Sequence, residues 1–205
     1  MILRFTAALV FLAGLGAFSA YLHILGEFPT ASVAARHLRE MKDRTLSPDS
    51  VAATTYEAIA DLPQGLSVGE YSGIERRAVS LEGYVQRMVR AADGDVHIEL
   101  VPMRRLPGEG NVRYVTAEVT PQWHRASERW RWPRLVELFH PNFGGTTPWE
   151  GGTRRVRLSG WLLYDYEYEG APAYGRPRLS TWELHPVTSI ERWDDARAAF
   201  VEYPR

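Results

Sequence analysis

The chain of 205 residues contains no cysteine. That absence excludes a disulfide framework, a thiolate zinc site, an iron–sulfur cluster, a Cys nucleophile and a lipid anchor on cysteine. Lysine is almost missing too: Lys42 stands alone, so 23 of the 24 basic residues are arginine. Excess charge is lacking as well. A formal net charge of -1 gives no bulk attraction to a polyanion, and nucleic acid is not an expected partner. The sequence also lacks a GxxxxGK[ST] loop, an HExxH helix and a GxGxxG turn.

What is present is ordinary globular material, 45% hydrophobic and 24% charged, in a length that suits one core. Only one long apolar run occurs. It follows Arg4 and passes from Phe5 to Leu22 without a charge, continuing to Leu25. This pattern predicts a signal peptide or transmembrane anchor over 1–26, with the small residues around Ala17 and Ser19 offering a cleavage site. The expected location is therefore membrane-anchored and facing the extracytoplasmic side, or secreted and periplasmic. Residues 27–63 are expected to form a helical juxtamembrane segment. Val33, Ala34, Leu38 and Met41 share one stripe of a first helix, and Ser47-Pro48-Asp49 starts a second that runs to Leu62.

From Gly65 the period becomes extended. Val79, Leu81, Gly83 and Val85 alternate in a long first strand, with Gly83 as a bend point. Asp93-Gly94 marks a hairpin, and Asp95, His97 and Glu99 alternate with Val96, Ile98 and Leu100 in the second strand. A turn at Pro107–Asn111 leads to a third strand over 112–120, and the helical stretch 121–141 follows. Strands over 154–165 and 182–190 complete the set, with Pro186 marking an edge, a bulge or a break. Three strands, a helix and two strands predict a mainly β, five-stranded OB-like barrel over 64–205. Too few strands are present for a β-sandwich and too few strand–helix units for a Rossmann or TIM fold.

Three stretches carry a resemblance. They are Asp93–Leu100, Glu118–Pro121, and Gly160–Asp165 together with Trp182–Ile190. The set resembles an uncharacterised bacterial extracytoplasmic OB-like domain family with DGDxHxxL and ELHPV motifs. That resemblance implies an exported OB-like module over roughly 78–192 and marks Asp93, Asp95, His97, Glu118, Asp165, Glu183 and His185. The chain departs from the family pattern after Asp165, where no histidine follows, and at Trp182, where a small polar residue is common.

Two candidate sites result. The first is a polar cluster of Asp95, His97, Glu118, Asp165, Glu183 and His185, with Glu99 nearby. Imidazole and carboxylate suit zinc or manganese, or a carboxylate base beside a histidine; pinned strand ends are the plain structural reading. No cofactor is otherwise expected. The second is an arginine and aromatic surface of Arg104, Arg105, Arg113, Trp123, Trp130, Arg154 and Arg155, suited to an anionic polymer or head group. Its plain reading is a tryptophan seal under solvated arginines. Asp165, Glu167 and Glu169 read as the solvated face of a hairpin. The leading expectation is a non-enzymatic extracytoplasmic module that binds a ligand, an envelope protein or an envelope polymer. The alternatives are a metal-assisted hydrolase of a phosphodiester or envelope polymer and a structural subunit of an envelope complex.

Overall fold

A computed structural model describes residues 32–104, 112–139, 154–169 and 178–205. The apolar run within 1–26, Arg105 and the 107–111 turn lie outside the described residues. The elements are α1 (Val33–Lys42), β1 (Ala52–Ala53), α2 (Tyr56–Ala60), α3 (Val68–Ile74), β2 (Ala78–Arg90), β3 (Val96–Val101) and β4 (Val115–Val119). They continue with α4 (Pro121–Arg125), α5 (Trp132–Phe139), β5 (Arg155–Tyr164), β6 (Trp182–Asp194) and β7 (Ala199–Glu202). The compact unit that holds the sheet is Leu38–Arg205.

Five strands close a barrel in the order β2, β3, β4, β6, β5 and back to β2. Every pairing in the ring is antiparallel except β4 with β6. The helical insert lies between the third and fourth barrel strands, so the fold is the OB-like barrel that the strand order predicts. Closure depends on β2 changing partners along its length. Ala78–Tyr84 pair with β5, and Tyr84–Arg90 pair with β3. Gly83 stands at this handover, where a Cβ would meet Tyr56 Oη and come within 2.5 Å of Val101 O. No side chain fits there without displacing backbone.

Alternation then fills the barrel. Val96, Ile98 and Leu100 of β3, Val115, Ala117 and Val119 of β4, and Trp182 and Leu184 of β6 enter one hydrophobic core. Trp123, Trp130, Leu135, Leu138 and Phe139 of the helical insert join the same core.

The sequence reading differs from the structure before β2. In place of one helix up to Leu62, Ala52–Ala53 pair in parallel with Val79–Ser80, and α2 starts only after Thr55. Thr55 accepts a hydrogen bond from Ala58 N at 3.2 Å, so a threonine read as helix interior acts as its cap. The stretch read as extended contains α3, whose Ser67 backbone N–H donates to Glu70 Oε2 at 2.8 Å. That pair spells a capping box. Downstream, β7 adds an antiparallel ribbon on Glu191–Asp194 of β6.

The expectation of a transmembrane helix and of membrane-anchored localisation is corrected. Among the described residues no helix is long and apolar enough to cross a membrane. The ten residues of α1 span about 15 Å at 1.5 Å each, half the roughly 30 Å of a hydrocarbon core, and include Arg36, Arg39 and Lys42. Attachment of the chain to a membrane through its N-terminal segment is corrected on the same finding.

Candidate metal centre

The outward faces of β3, β4 and β6 assemble the polar cluster by register. His97 pairs directly with Glu118, and Ala117 pairs with Leu184. Because alternate side chains point to opposite faces, Glu118 of β4 and both neighbours of Leu184, Glu183 and His185, project away from the core together. Asp95 reaches them from the β2–β3 turn, and Asp165 from the end of β5. An OB barrel presents its ligand-binding face through the second and third strands and through these two loops.

The cluster is deeply placed. His185 and Glu183 are 0% exposed, Asp95 5% and Glu118 6%. His185 Nδ1 lies 3.0 Å from Glu183 Oε1 and 3.2 Å from Glu118 Oε2. The second oxygen of Glu118 is 2.9 Å from His97 Nδ1. His185 Nε2 lies 3.6 Å from Asp95 Oδ2, too far for a hydrogen bond, and has no partner although it is buried. Ligand atoms of Asp95, Glu118 and His185 all fall within 4.8 Å of one another. These three residues can hold a divalent metal ion through one imidazole and two carboxylates, a donor set that suits zinc or manganese.

Cations that the sequence reading left out complete the centre. Lys42 Nζ is 3.6 Å from Asp165 Oδ2, and Arg178 Nη1 is 3.2 Å from Glu183 Oε2. Lys42 is held there by its neighbour Arg44, whose guanidinium donates to Glu75 O, Leu162 O and His185 O at 2.8–2.9 Å. Four carboxylates, Asp95, Glu118, Asp165 and Glu183, thus face two permanent cations. Two negative charges remain; a proton on His185 offsets one of them, and a divalent metal ion would offset both.

The acid–base properties follow. Burial opposes charge on His185, but hydrogen bonds to Glu118 and Glu183 outweigh it and hold the imidazole up at about 10. Burial likewise opposes charge on Glu118, yet its bonds to His185 and His97 keep it well below the usual carboxylate range. Burial dominates at Asp95 and lifts it to about 7, with the His185 charge opposing and Glu118 adding. Asp165 is pushed to about 7 by burial and then by Glu183, against Lys42 and Arg178. Its Oδ1 has no hydrogen-bond partner.

A pH dependence results for the metal-free protein. The His185 contribution is complete below its ordinary 6.5 and lost as pH rises through about 10. Asp95 and Asp165 bind protons more tightly folded than unfolded, so between 3.8 and about 7 rising pH also costs stability. Glu118 acts oppositely, since its contribution is lost as pH falls below 4.5 through the depressed folded value. Thermal unfolding in chelator is expected to give a melting temperature that peaks near pH ~4 and declines toward pH ~9. A melting temperature that climbs across that interval would contradict these assignments.

All six residues of the sequence-derived cluster sit in this assembly, although Asp165 was also read as part of a solvated acidic face. The strand ends at Tyr164, and a tight 3-10 turn over Tyr166–Tyr168 leaves Glu167 exposed and Asp165 buried. Glu99 is taken up elsewhere, by Gln86 at 3.0 Å and Arg87 at 3.2 Å. The aromatic part of the second surface is corrected: Trp123 and Trp130 stack on each other in the core, 4% and 1% exposed. Arg113 donates to Leu179 O, and Arg155 pairs with Glu82 beneath the Trp193 ring, while Arg104 and Arg154 are exposed. Gly65-Leu66-Ser67-Val68-Gly69 spells a GxSxG pattern, but α2 rather than a strand leads into it and Ser67 Oγ donates to Glu70 at 2.6 Å, so the serine caps α3.

No protein-family model and no curated protein matches the chain. Solved structures that match include Entamoeba histolytica asparaginyl-tRNA synthetase, at TM-score 0.36 and 14% identity over 70% of this chain and 24% of that one. Aspartyl-tRNA synthetase from Entamoeba histolytica matches at TM-score 0.34 and 12% identity, over 79% of this chain and 27% of that one. The chain spans about a quarter of the length of these structures, and likeness at this level carries no functional argument.

Proposed function

We propose that the protein is a divalent-metal-dependent hydrolase module whose OB binding face carries one metal ion on Asp95, Glu118 and His185, and whose substrate is an anionic ester such as a phosphodiester. The observation that carries this reading is His185 Nε2, fully buried, without a hydrogen-bond partner and directed at Asp95 beside Glu118. A bound ion would supply Lewis acidity to the ester and lower the pKa of a bound water. Asp165, with a free oxygen and a proton affinity set near neutrality, takes the proton of the attacking water. Water oxygen then bonds to phosphorus as the alkoxide leaves. Lys42 and Arg178 offset the negative charge that gathers around the site.

A second reading, a ligand- or partner-binding module braced by the metal, is favoured by depth. Among the cluster's side chains Lys42, His97 and Arg178 reach solvent most, at 26%, 16% and 11%, and two cavities of the described residues lie elsewhere. Hydrolysis of bis(p-nitrophenyl) phosphate by the full chain loaded with manganese or zinc separates the two. Turnover that falls at least a hundredfold in Asp165→Asn, with metal content unchanged, is expected. Metal uptake without turnover would overturn the hydrolase and leave the binding module.

A further inference from the structure

A second polar region lies away from the metal centre, in a groove of about 1000 Å³ between the start of α5 and the β6–β7 ribbon. Its wall carries Arg129, Arg131, Arg134, Arg154 and Arg192. Two of the five are neutralised locally, Arg131 by Glu128 at 2.7 Å and Arg134 by Glu137 at 2.8 Å. Arg129, Arg154 and Arg192 have no ion-pair partner among the described residues, and Glu202 is the remaining acid of the wall. Arginines of β5 next to Arg154 behave differently: Arg155 is paired with Glu82 and Arg157 with Glu191.

We propose that this groove binds a linear ligand carrying two or more adjacent phosphate groups. Three unpaired guanidinium groups against one carboxylate leave two positive charges, which a ligand with at least two negative charges would balance. Arginine presents a planar fork that matches phosphate oxygens two at a time, and all five cations here are arginine. The volume is at the upper end of small-molecule sites, far beyond one phosphate, which points to a chain. The arginine-rich wall suits a charged occupant rather than an apolar one.

The test is calorimetric titration of the full-length protein with inorganic tripolyphosphate, in chelator so that the metal centre contributes nothing. Binding is expected to weaken at least tenfold in the Arg129→Ala/Arg154→Ala/Arg192→Ala variant and to tighten in Glu202→Gln, which removes the opposing charge. The tightening arm stays decisive even where the triple variant folds poorly. Absence of binding, equal binding of citrate, an unaffected triple variant or a Glu202→Gln protein that binds no better would each overturn the proposal. Failure of the metal centre would leave these outcomes unchanged.

Discussion

Replacing Glu118 with glutamine is expected to cost about 3–5 kcal/mol of stability and to abolish retention of a divalent metal. Among the described residues Glu118 alone joins His97 and His185, with one oxygen 2.9 Å from His97 Nδ1 and the other 3.2 Å from His185 Nδ1. An amide has one acceptor where the carboxylate has two, and it turns a donor toward one of the imidazoles. The protonated His185, itself without solvent access, then loses one of its two carboxylate hydrogen-bond partners. Urea denaturation of wild type and variant measures the cost. A double variant, Glu118→Leu/His185→Leu, removes both charges, so it should recover much of the stability without recovering metal. A Glu118→Gln protein within about 1 kcal/mol of wild type would show that the cluster is not the coupled ionic unit described.

Gly160→Ala is expected to destabilise the barrel by about 3 kcal/mol and to weaken the metal centre from behind. A Cβ at Gly160 would come within 2.5 Å of Pro186 O and 3.1 Å of Val187 Cα, and both are backbone atoms that cannot rotate away. The register between β5 and β6 slips on each side of Gly160, as Ser159 pairs with Ser189, Gly160 with Val187 and Leu162 with Leu184. These bulges let β6 pass Pro186 while His185 stays aimed at Asp95. A methyl group there pushes β6 outward at the residue next to His185, whose carbonyl also accepts from Arg44. Denaturation midpoints and metal affinity should fall together. A midpoint unchanged from wild type would mean that β6 yields freely at this point and does not fix the imidazole.

Much of the barrel was legible because its strands alternate without ambiguity. Val96, Ile98 and Leu100 against Asp95, His97 and Glu99 define both a strand and its two faces, and the Asp93-Gly94 turn sets where it begins. The cluster was legible for the same reason, since the polar face of β3 needed partners and Glu118, Glu183 and His185 lay at matching positions on other strands. What the sequence did not disclose depends on long-range packing. Ala52–Ala53 become a strand only because β2 offers them an edge, against the helical preference of alanine. Lys42 and Arg178 carry no motif, although Lys42 is the single lysine of the chain, and their roles come from Arg44 and from the end of the β5–β6 loop. Trp123 and Trp130 could serve as stacking platforms or as core, and the helical insert buries them.

The most direct measurement is the metal content of the full-length protein by mass spectrometry. The chain would be equilibrated with zinc and manganese and passed through gel filtration, alongside Asp95→Asn and His185→Leu variants. Close to one ion per chain in wild type and less than a tenth of that in both variants is the result expected of a centre built on Asp95, Glu118 and His185. Wild-type protein that emerges free of metal, or variants that retain as much as wild type, would contradict it and leave His185 as an imidazolium held in a closed ionic network.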